Sequence, residues 1–117
     1  MTKSIALEKA IKFALRIIKL YKYLTEEKKE FILSKQLLLS GTHVAKYVKA
    51  ATVAENRAAF SSNMFKGMQM ASDAELWLFL LNEGEWLEDD YYRSVNEDCV
   101  EMIKITSRIA KTSRDND

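Results

Sequence analysis

The sequence contains no proline, three glycines and a single cysteine in 117 residues, and each scarcity excludes a class of structure. With so little glycine and proline, the chain lacks the repeated turns that an all-β fold requires. The lone cysteine, Cys99, excludes an intramolecular disulfide and favours a reducing compartment. No uncharged stretch approaches the roughly 20 residues needed to span a bilayer, and Glu8 and Lys9 interrupt the first apolar stretch. We therefore expect a cytoplasmic protein without a signal peptide or a membrane segment.

Hydrophobic residues make up 48% of the chain and charged residues 30%, which is typical of helices with one buried and one solvated face. In four stretches, apolar or small residues recur at alternating spacings of three and four, the period of helices packed at shallow angles. Short connections make consecutive helices antiparallel. The sequence thus predicts an all-α fold, an antiparallel up-down-up-down four-helix bundle. It forms one domain over residues 1–117, with helices at about 4–24, 26–54, 56–82 and 88–112.

Three local signals set these boundaries. Thr25 followed by Glu26 and Glu27 resembles a helix N-terminus, because the hydroxyl can cap it and the carboxylates face the positive end of the helix dipole. Gly84 suits the left-handed residue that closes a helix. Gly41 lies between Ser40 and Thr42, a segment that also reads as a loop, but the apolar phase continues across it. We therefore predict that the second helix is continuous through Gly41.

The periodicity also predicts which residues form the buried seam of each helix. The first seam comprises Leu7, Ile11, Ala14, Ile18 and Tyr21. The second comprises Leu33, Leu37, Ser40, Val44, Tyr47, Ala51 and Ala54. The third comprises Phe60, Met64, Gly67, Ala71, Ala74, Leu78 and Leu81. The fourth comprises Tyr92, Val95, Cys99, Met102, Thr106 and Ile109.

The chain carries more apolar surface than these seams require. The first helix adds Phe13, Leu15, Ile17, Leu20 and Tyr23, and the end of the third helix is apolar on every side. Such a pattern indicates either a wider core closed by an aromatic plug or a subunit interface. The candidate interface residues are Trp77, Phe79, Leu80 and Trp86.

The residues that could carry catalysis are few. His43 is the only histidine, and no cysteine or second histidine stands at metal-ligand spacing from it. Cys99 falls on a predicted seam, where a small core residue is a better interpretation than a nucleophile. The chain has no glycine-rich phosphate loop and no Glu-x-x-His pair for a di-iron centre. We therefore expect no enzymatic activity, no small-molecule substrate, no metal and no cofactor.

Charge is unevenly distributed although the formal net charge is only +1. Lys9, Lys12, Arg16 and Lys19 share one face of the first helix, and Lys104, Arg108 and Lys111 form a second basic row near the end of the fourth. Such rows attract phosphate backbones, so these seven residues are candidate nucleic-acid contacts. The alternative is that the rows are solvated faces that keep the protein soluble.

Several segments resemble the four-helix-bundle family first noticed as proteins encoded in intervening sequences of bacterial 23S rRNA genes. The resemblance covers residues 4–113 and is carried by four sets of residues: Phe13-Ala14-Leu15-Arg16-Ile17-Ile18-Lys19-Leu20-Tyr21 in the first helix; Ser34-Lys35-Gln36-Leu37-Leu38 and Ser40-Gly41-Thr42 in the second; Met64, Ala71, Glu75, Trp77-Leu78 and Leu80-Leu81 in the third; Ile103-Lys104 and Lys111-Thr112-Ser113 in the fourth. After Ser-Gly-Thr the family usually carries an Asn and a Glu, which Tyr47 and Lys49 replace here. Any polar role of that pair is therefore not transferred.

The resemblance implies a homopentamer with a central channel. A related family, the accessory variability protein of diversity-generating retroelements, binds a reverse transcriptase and nucleic acid. By resemblance, the partners are therefore further copies of this chain and RNA or a nucleic-acid-bound protein. The alternative is a protein-interaction or assembly module without a nucleic-acid role.

Overall fold

The computed structural model describes residues 4–115, which form four α-helices and no β-strand. They are α1 (Ile5–Glu26), α2 (Leu33–Thr52), α3 (Arg57–Glu83) and α4 (Asp89–Asp115). The bundle measures 46 × 24 × 20 Å, so its long dimension is close to the length of one of the longer helices. The all-α four-helix fold predicted from the sequence is confirmed.

Each helix packs against its neighbours in chain order, and α4 closes the ring by returning to α1. The directions alternate: Ser61, near the start of α3, donates a hydrogen bond to the carbonyl of Ala110, near the end of α4. The ion pairs between α1 and α4 show the same antiparallel arrangement, since the earlier residue Lys9 pairs with Glu101 and the later residue Arg16 pairs with Asp98. The α1–α4 interface is the least tightly packed of the four. Short loops between long amphipathic helices account for this topology.

The second helix begins seven residues later than the 26 expected from the sequence, at Leu33. Thr25 does not cap it: α1 continues through Glu26, and the Thr25 hydroxyl donates to the carbonyl of Tyr21 at 2.9 Å. Instead, the buried carboxylate of Glu30 accepts hydrogen bonds from the free backbone N–H groups at the start of α2. Its oxygens lie 2.7 Å from the N–H of Ser34 and 3.0 Å from that of Leu33. The prediction chose the wrong acidic cluster because several carboxylates precede this helix.

The seams of α3 and α4 are predicted almost residue for residue. Met64, Gly67, Ala71, Ala74, Leu78 and Leu81 are buried in α3; Val95, Cys99, Met102 and Thr106 are buried in α4. Only the ends differ, since Phe60, Tyr92 and Ile109 are half-buried and Ala110 is buried. In α2 the prediction is right at Leu37, Ser40, Val44 and Ala51. Val48 is buried rather than Tyr47, Ser34 rather than Leu33, Gly41 is buried as well, and Ala54 is half-buried beyond the end of the helix.

The predicted seam of α1 is right at Leu7 and Ala14 and wrong at Ile11, Ile18 and Tyr21. The buried residues are Ala6, Leu7, Ala10, Phe13, Ala14, Ile17, Leu20 and Leu24. Ile11 is instead 37% exposed, and Ile18 is only half-buried. Phe13, Ile17 and Leu20, which appeared to be surplus apolar surface, therefore form the core. Both sides of α1 are apolar, so the period alone did not select the side that faces the other helices.

Gly41 lies inside an unbroken helix, as predicted from the phase. A Cβ at this position would lie 2.8 Å from both Cγ atoms of Ile17 and 3.0 Å from its Cβ. The absence of a side chain therefore allows α1 and α2 to approach closely at the centre of the bundle. The glycine serves packing here rather than a bend.

The α3–α4 turn corrects a further detail. Gly84 has φ −79°, which is not left-handed, and the left-handed residue is Glu85 with φ 67°. The turn lets Leu87 bury its side chain while its N–H donates to the carbonyl of Leu81. Leu87 thus closes this end of the core, and Trp86 stays 39% exposed.

Candidate nucleic-acid and subunit interfaces

The basic row on α1 lies beside acidic residues of α4. Lys9 Nζ is 3.0 Å from a carboxylate oxygen of Glu101, and Arg16 is 2.6 Å from one of Asp98. Arg16 also donates to the backbone carbonyl of Ser94 at 3.1 Å and to its hydroxyl. Two of the four cations predicted to contact phosphate are therefore already paired within the bundle.

These pairs bridge an open groove between α1 and α4. The groove has a volume of about 310 Å³, and its apolar lining is Phe13 and Met102. The side chains of Lys9 and Glu101 remain 43% and 54% exposed. Exposed ion pairs stabilise a protein by about 0–1 kcal/mol and weaken as salt rises. A phosphate group can therefore replace a carboxylate here at small cost.

A second polar contact joins the far ends of the same two helices. Glu88, just before α4, accepts a hydrogen bond from Tyr23 at 2.7 Å and pairs with Lys28 at 2.8 Å. Hydrogen bonds from Lys28 and Tyr23 hold the pKa of the Glu88 carboxyl below its usual range. The carboxylate in turn raises the pKa of Tyr23. The Tyr23 ring also contacts that of Tyr91, with centroids 5.4 Å apart.

The other five candidate nucleic-acid residues are exposed. None of them forms an ion pair with a carboxylate in the part of the chain that the structure describes. They are Lys12 and Lys19 on α1 and Lys104, Arg108 and Lys111 on α4. These five side chains can bind an anion without breaking an internal contact.

The four candidate interface residues divide into two kinds. Trp77 is half-buried and packs against the core, which agrees with the aromatic-plug interpretation for this one residue. Phe79, Leu80 and Trp86 are 47%, 37% and 39% exposed. They leave an apolar surface at the end of α3 that the fold of one chain does not cover.

Two apolar stripes fall where the sequence indicated surplus apolar surface, on the first helix and at the end of the third, although Ile11 and Ile18 had been assigned to the buried seam. On α1, Ile11 and Leu15 are exposed, and Ile18 continues the same face one turn on. On α3, Leu76 is 51% exposed and shares a face with Phe79 and Leu80, three and four residues on. Phe65 is 46% exposed but lies three turns away, with Gln69 and Ser72 between it and Leu76. Since α1 and α3 are not neighbours in the ring of helices, these stripes lie on different sides of the bundle.

The residues considered for catalysis are placed away from any reactive constellation. Cys99 is fully buried, its Sγ lies 3.2 Å from the carbonyl oxygen of Ala71, and burial raises the pKa of its thiol to about 12. Within residues 4–115, no three His, Cys, Asp or Glu side chains converge to hold a metal ion. Among the same residues, none of the helices combines the length and apolar character required to cross a bilayer.

A basic and aromatic cluster on α2 and α3 was missed in the sequence. Lys46 Nζ lies 5.3 Å and Lys66 Nζ 5.9 Å from the centroid of the Tyr47 ring, and His43 meets the same ring edge-on at 6.4 Å. We call these four residues the Tyr47 cluster. A sequence signal existed, because α2 carries three lysines and no acidic residue. The contribution of Lys66 requires the tertiary structure.

Comparison with known proteins identifies the class to which this fold belongs. The family model of the 23S rRNA-intervening sequence protein matches residues 2–108, so the chain belongs to that family. Among solved structures, it is similar to the crystal structure of a protein of unknown function from the S23 ribosomal protein family of Bacteroides thetaiotaomicron. The two chains are 37% identical with a TM-score of 0.89, over 92% of this chain and 96% of the other. No significant match is found among curated proteins. Neither description names a catalytic activity.

Proposed function

We propose that this protein is a non-catalytic, cytoplasmic, homo-oligomeric bundle that binds RNA through its basic rows on α1 and α4. The observation that carries the proposal is the row on α4, where Lys104, Arg108 and Lys111 are exposed and have no carboxylate partner among residues 4–115. A phosphate backbone neutralises such a row and releases counterions, which favours binding. Lys12 and Lys19 extend the basic surface on α1, and Lys9 and Arg16 would exchange a carboxylate for a phosphate.

Self-association is supported by the apolar surfaces. The exposed stripes on α1 and α3 lie on different sides of the bundle, so one copy can present its α1 stripe to the α3 stripe of the next. Such a head-to-tail contact closes a ring when the rotation between copies allows it. The size of the ring, five subunits, is proposed from the family resemblance alone.

Salt-dependent binding tests the RNA part. A fluorescein-labelled RNA is titrated with wild type and with Lys104→Gln/Arg108→Gln at two salt concentrations. We expect weaker binding and a salt slope reduced by about 1.4 for a single-stranded RNA, since each phosphate contact contributes about 0.7. The control is Lys35→Gln/Lys49→Gln, which removes the same charge from exposed positions of α2. Equal losses of RNA affinity in both variants would show that net charge, and not the position of the α4 row, causes the weaker binding.

The same titration addresses the alternative function. If the wild type does not bind RNA at low salt, the protein is an interaction or assembly module, and its basic rows serve solubility. The interaction of Lys9 and Arg16 with Glu101 and Asp98 favours that alternative, because paired cations attract phosphate less strongly.

Light scattering tests self-association. A pentamer has a mass of five times 13.5 kDa, and the monomer mass at micromolar concentration would contradict the proposal. Phe79→Gln should weaken the assembly because the side chain is exposed in one chain. Val53→Gln is a matched control, since Val53 is 73% exposed just beyond the end of α2, away from both stripes.

A further inference from the structure

We propose that the Tyr47 cluster is a contact site for single-stranded RNA, in which Lys46 and Lys66 bind phosphates and the Tyr47 ring stacks on a base. The inference rests on the proposed RNA binding and adds a site that the basic rows do not include. It lies on the boundary between α2 and α3, whereas those rows lie on α1 and α4. The site would select unpaired RNA, because a base inside a duplex does not offer its face to a side chain.

Electrostatics makes this cluster attractive to an anion. Two ammonium groups from different helices converge within 6 Å of the centroid of one ring. Neither ammonium forms an ion pair with a carboxylate of residues 4–115. No acidic residue occurs anywhere in α2 or in the first 16 residues of α3, and Asp73 is about two helical turns from Lys66. The basic row on α1, in contrast, faces Asp98 and Glu101 directly.

The root of the Tyr47 side chain packs against α3. A Cβ built at Gly67 would lie 3.8 Å from the Cβ of Tyr47, so the root of the tyrosine packs against a glycine of α3. The residue is half-buried, and its hydroxyl makes no hydrogen bond with any other described residue. Lys46 and Lys66 are exposed. Exposed cation–π contacts are weak, so a lysine can leave the ring for a phosphate and give a base access to the ring.

This arrangement combines the two elements of sequence-tolerant single-strand binding. A cationic surface follows the backbone, and an aromatic ring stacks with whichever base is presented. The seven side chains of the basic rows supply only the first element. Tyr23, one turn beyond Lys19, is already held by its hydrogen bond to Glu88 and its contacts with Lys28 and Tyr91. We therefore expect the Tyr47 cluster to contribute to the preference for single strands, and the rows to contribute equally to single and double strands.

The experiment compares a labelled single-stranded RNA of 12 nucleotides with a blunt duplex of the same length, by fluorescence anisotropy on the full chain. Tyr47→Leu should weaken single-strand binding about 5- to 150-fold, the range expected for the loss of one stacked base, and leave duplex binding unchanged. Tyr47→Phe keeps the ring and should bind like wild type. Lys66→Gln should lower the single-strand salt slope by about 0.7.

Lys35→Gln is the charge-matched control. Lys35 is exposed on α2 and lies about three helical turns from Lys46 and Tyr47, outside the cluster. A thermal melt of each variant shows whether the fold survives. If Tyr47→Leu proves unstable, the comparison of Lys66→Gln with Lys35→Gln decides the question, because neither side chain is buried.

The outcomes separate this inference from the proposed function. If Tyr47→Leu and Lys66→Gln both bind RNA as tightly as wild type, the inference is overturned and RNA binding by the basic rows stays in place. Equal losses for single strand and duplex overturn the stacking role of Tyr47. A wild type that binds neither RNA overturns both proposals, and the cluster is then a structural contact between α2 and α3.

Discussion

Replacing Gly41 by alanine tests whether the close approach of α1 and α2 sets the stability of the bundle. Two opposing effects meet at this position. Alanine is favoured over glycine inside a helix by about 1 kcal/mol. The added methyl group, however, would lie 2.8 Å from both Cγ atoms of Ile17, well inside the usual separation of about 3.5–4.0 Å.

Ile17 has little freedom to avoid the overlap. It is fully buried, and a β-branched side chain in a helix has one strongly preferred rotamer. Its Cβ, which no side-chain rotation moves, would itself lie 3.0 Å from the new methyl group. The helices must therefore separate, and overpacking of this kind costs about 1–3 kcal/mol. After the gain of about 1 kcal/mol in helix propensity, we expect a net destabilisation of up to about 2 kcal/mol.

Chemical denaturation at fixed protein concentration measures this difference, since self-association would make stability concentration-dependent. Gly67→Ala is the matched control. Its new Cβ would meet the Val48 side chain at 3.3 Å and other atoms only at 3.7 Å or beyond, so we expect it to be nearly neutral or stabilising. In an Ile17→Ala background, the cost of Gly41→Ala should fall, because both Cγ atoms are removed and only the contact with the Cβ of residue 17, at 3.0 Å, remains. The explanation by close approach fails if Gly41→Ala is as well tolerated as Gly67→Ala, or if its cost is unchanged in that background.

Three further predictions follow from local geometry. Glu30→Gln should cost about 1 kcal/mol at neutral pH, because burial opposes ionisation of Glu30 but backbone hydrogen bonds outweigh it and hold its pKa below the usual range. The stabilisation by the Glu30 carboxylate is fully present above the unfolded pKa of about 4.3 and is lost as the pH falls through the folded pKa. A difference in unfolding midpoint between wild type and Glu30→Gln that persists undiminished to pH 2 would contradict this explanation. Cys99 should resist a thiol reagent at pH 8 until the chain unfolds, since its pKa is about 12, and rapid native labelling refutes this. Glu85→Gly should raise the unfolding midpoint, because glycine adopts the positive φ of 67° at this position without strain. The expected gain in the free energy of unfolding is at most about 1 kcal/mol, and a lower midpoint would show that the turn is unstrained.

The candidate site was only partly predictable from sequence. The α4 row was identified from spacing, and the exposure of Lys104, Arg108 and Lys111 agrees with it. The loss of free charge at Lys9 and Arg16 was not foreseen, because their partners lie more than 80 residues away along the chain. The Tyr47 cluster was not recognised for the same reason, since Lys66 reaches the ring from another helix.

The sequence by itself determined the helical class, the number of helices and the buried positions of α3 and α4. In α3 and α4 the small and apolar residues keep a single phase over the length of the helix, and that phase indicates which side faces the core. The continuity of α2 through Gly41 followed from the same period. These properties are local, so a single chain segment contains all that is needed to read them.

Only the tertiary structure decided the features that depend on two segments meeting. It selected Ile17 rather than Ile18 for the core of α1, because both sides of that helix are apolar and the neighbouring helices choose between them. It also chose Glu30 as the residue that caps α2, since only this carboxylate is buried against the free N–H groups. Packing and long-range charge pairing, which sequence spacing does not encode, determine which residues are left exposed for partners.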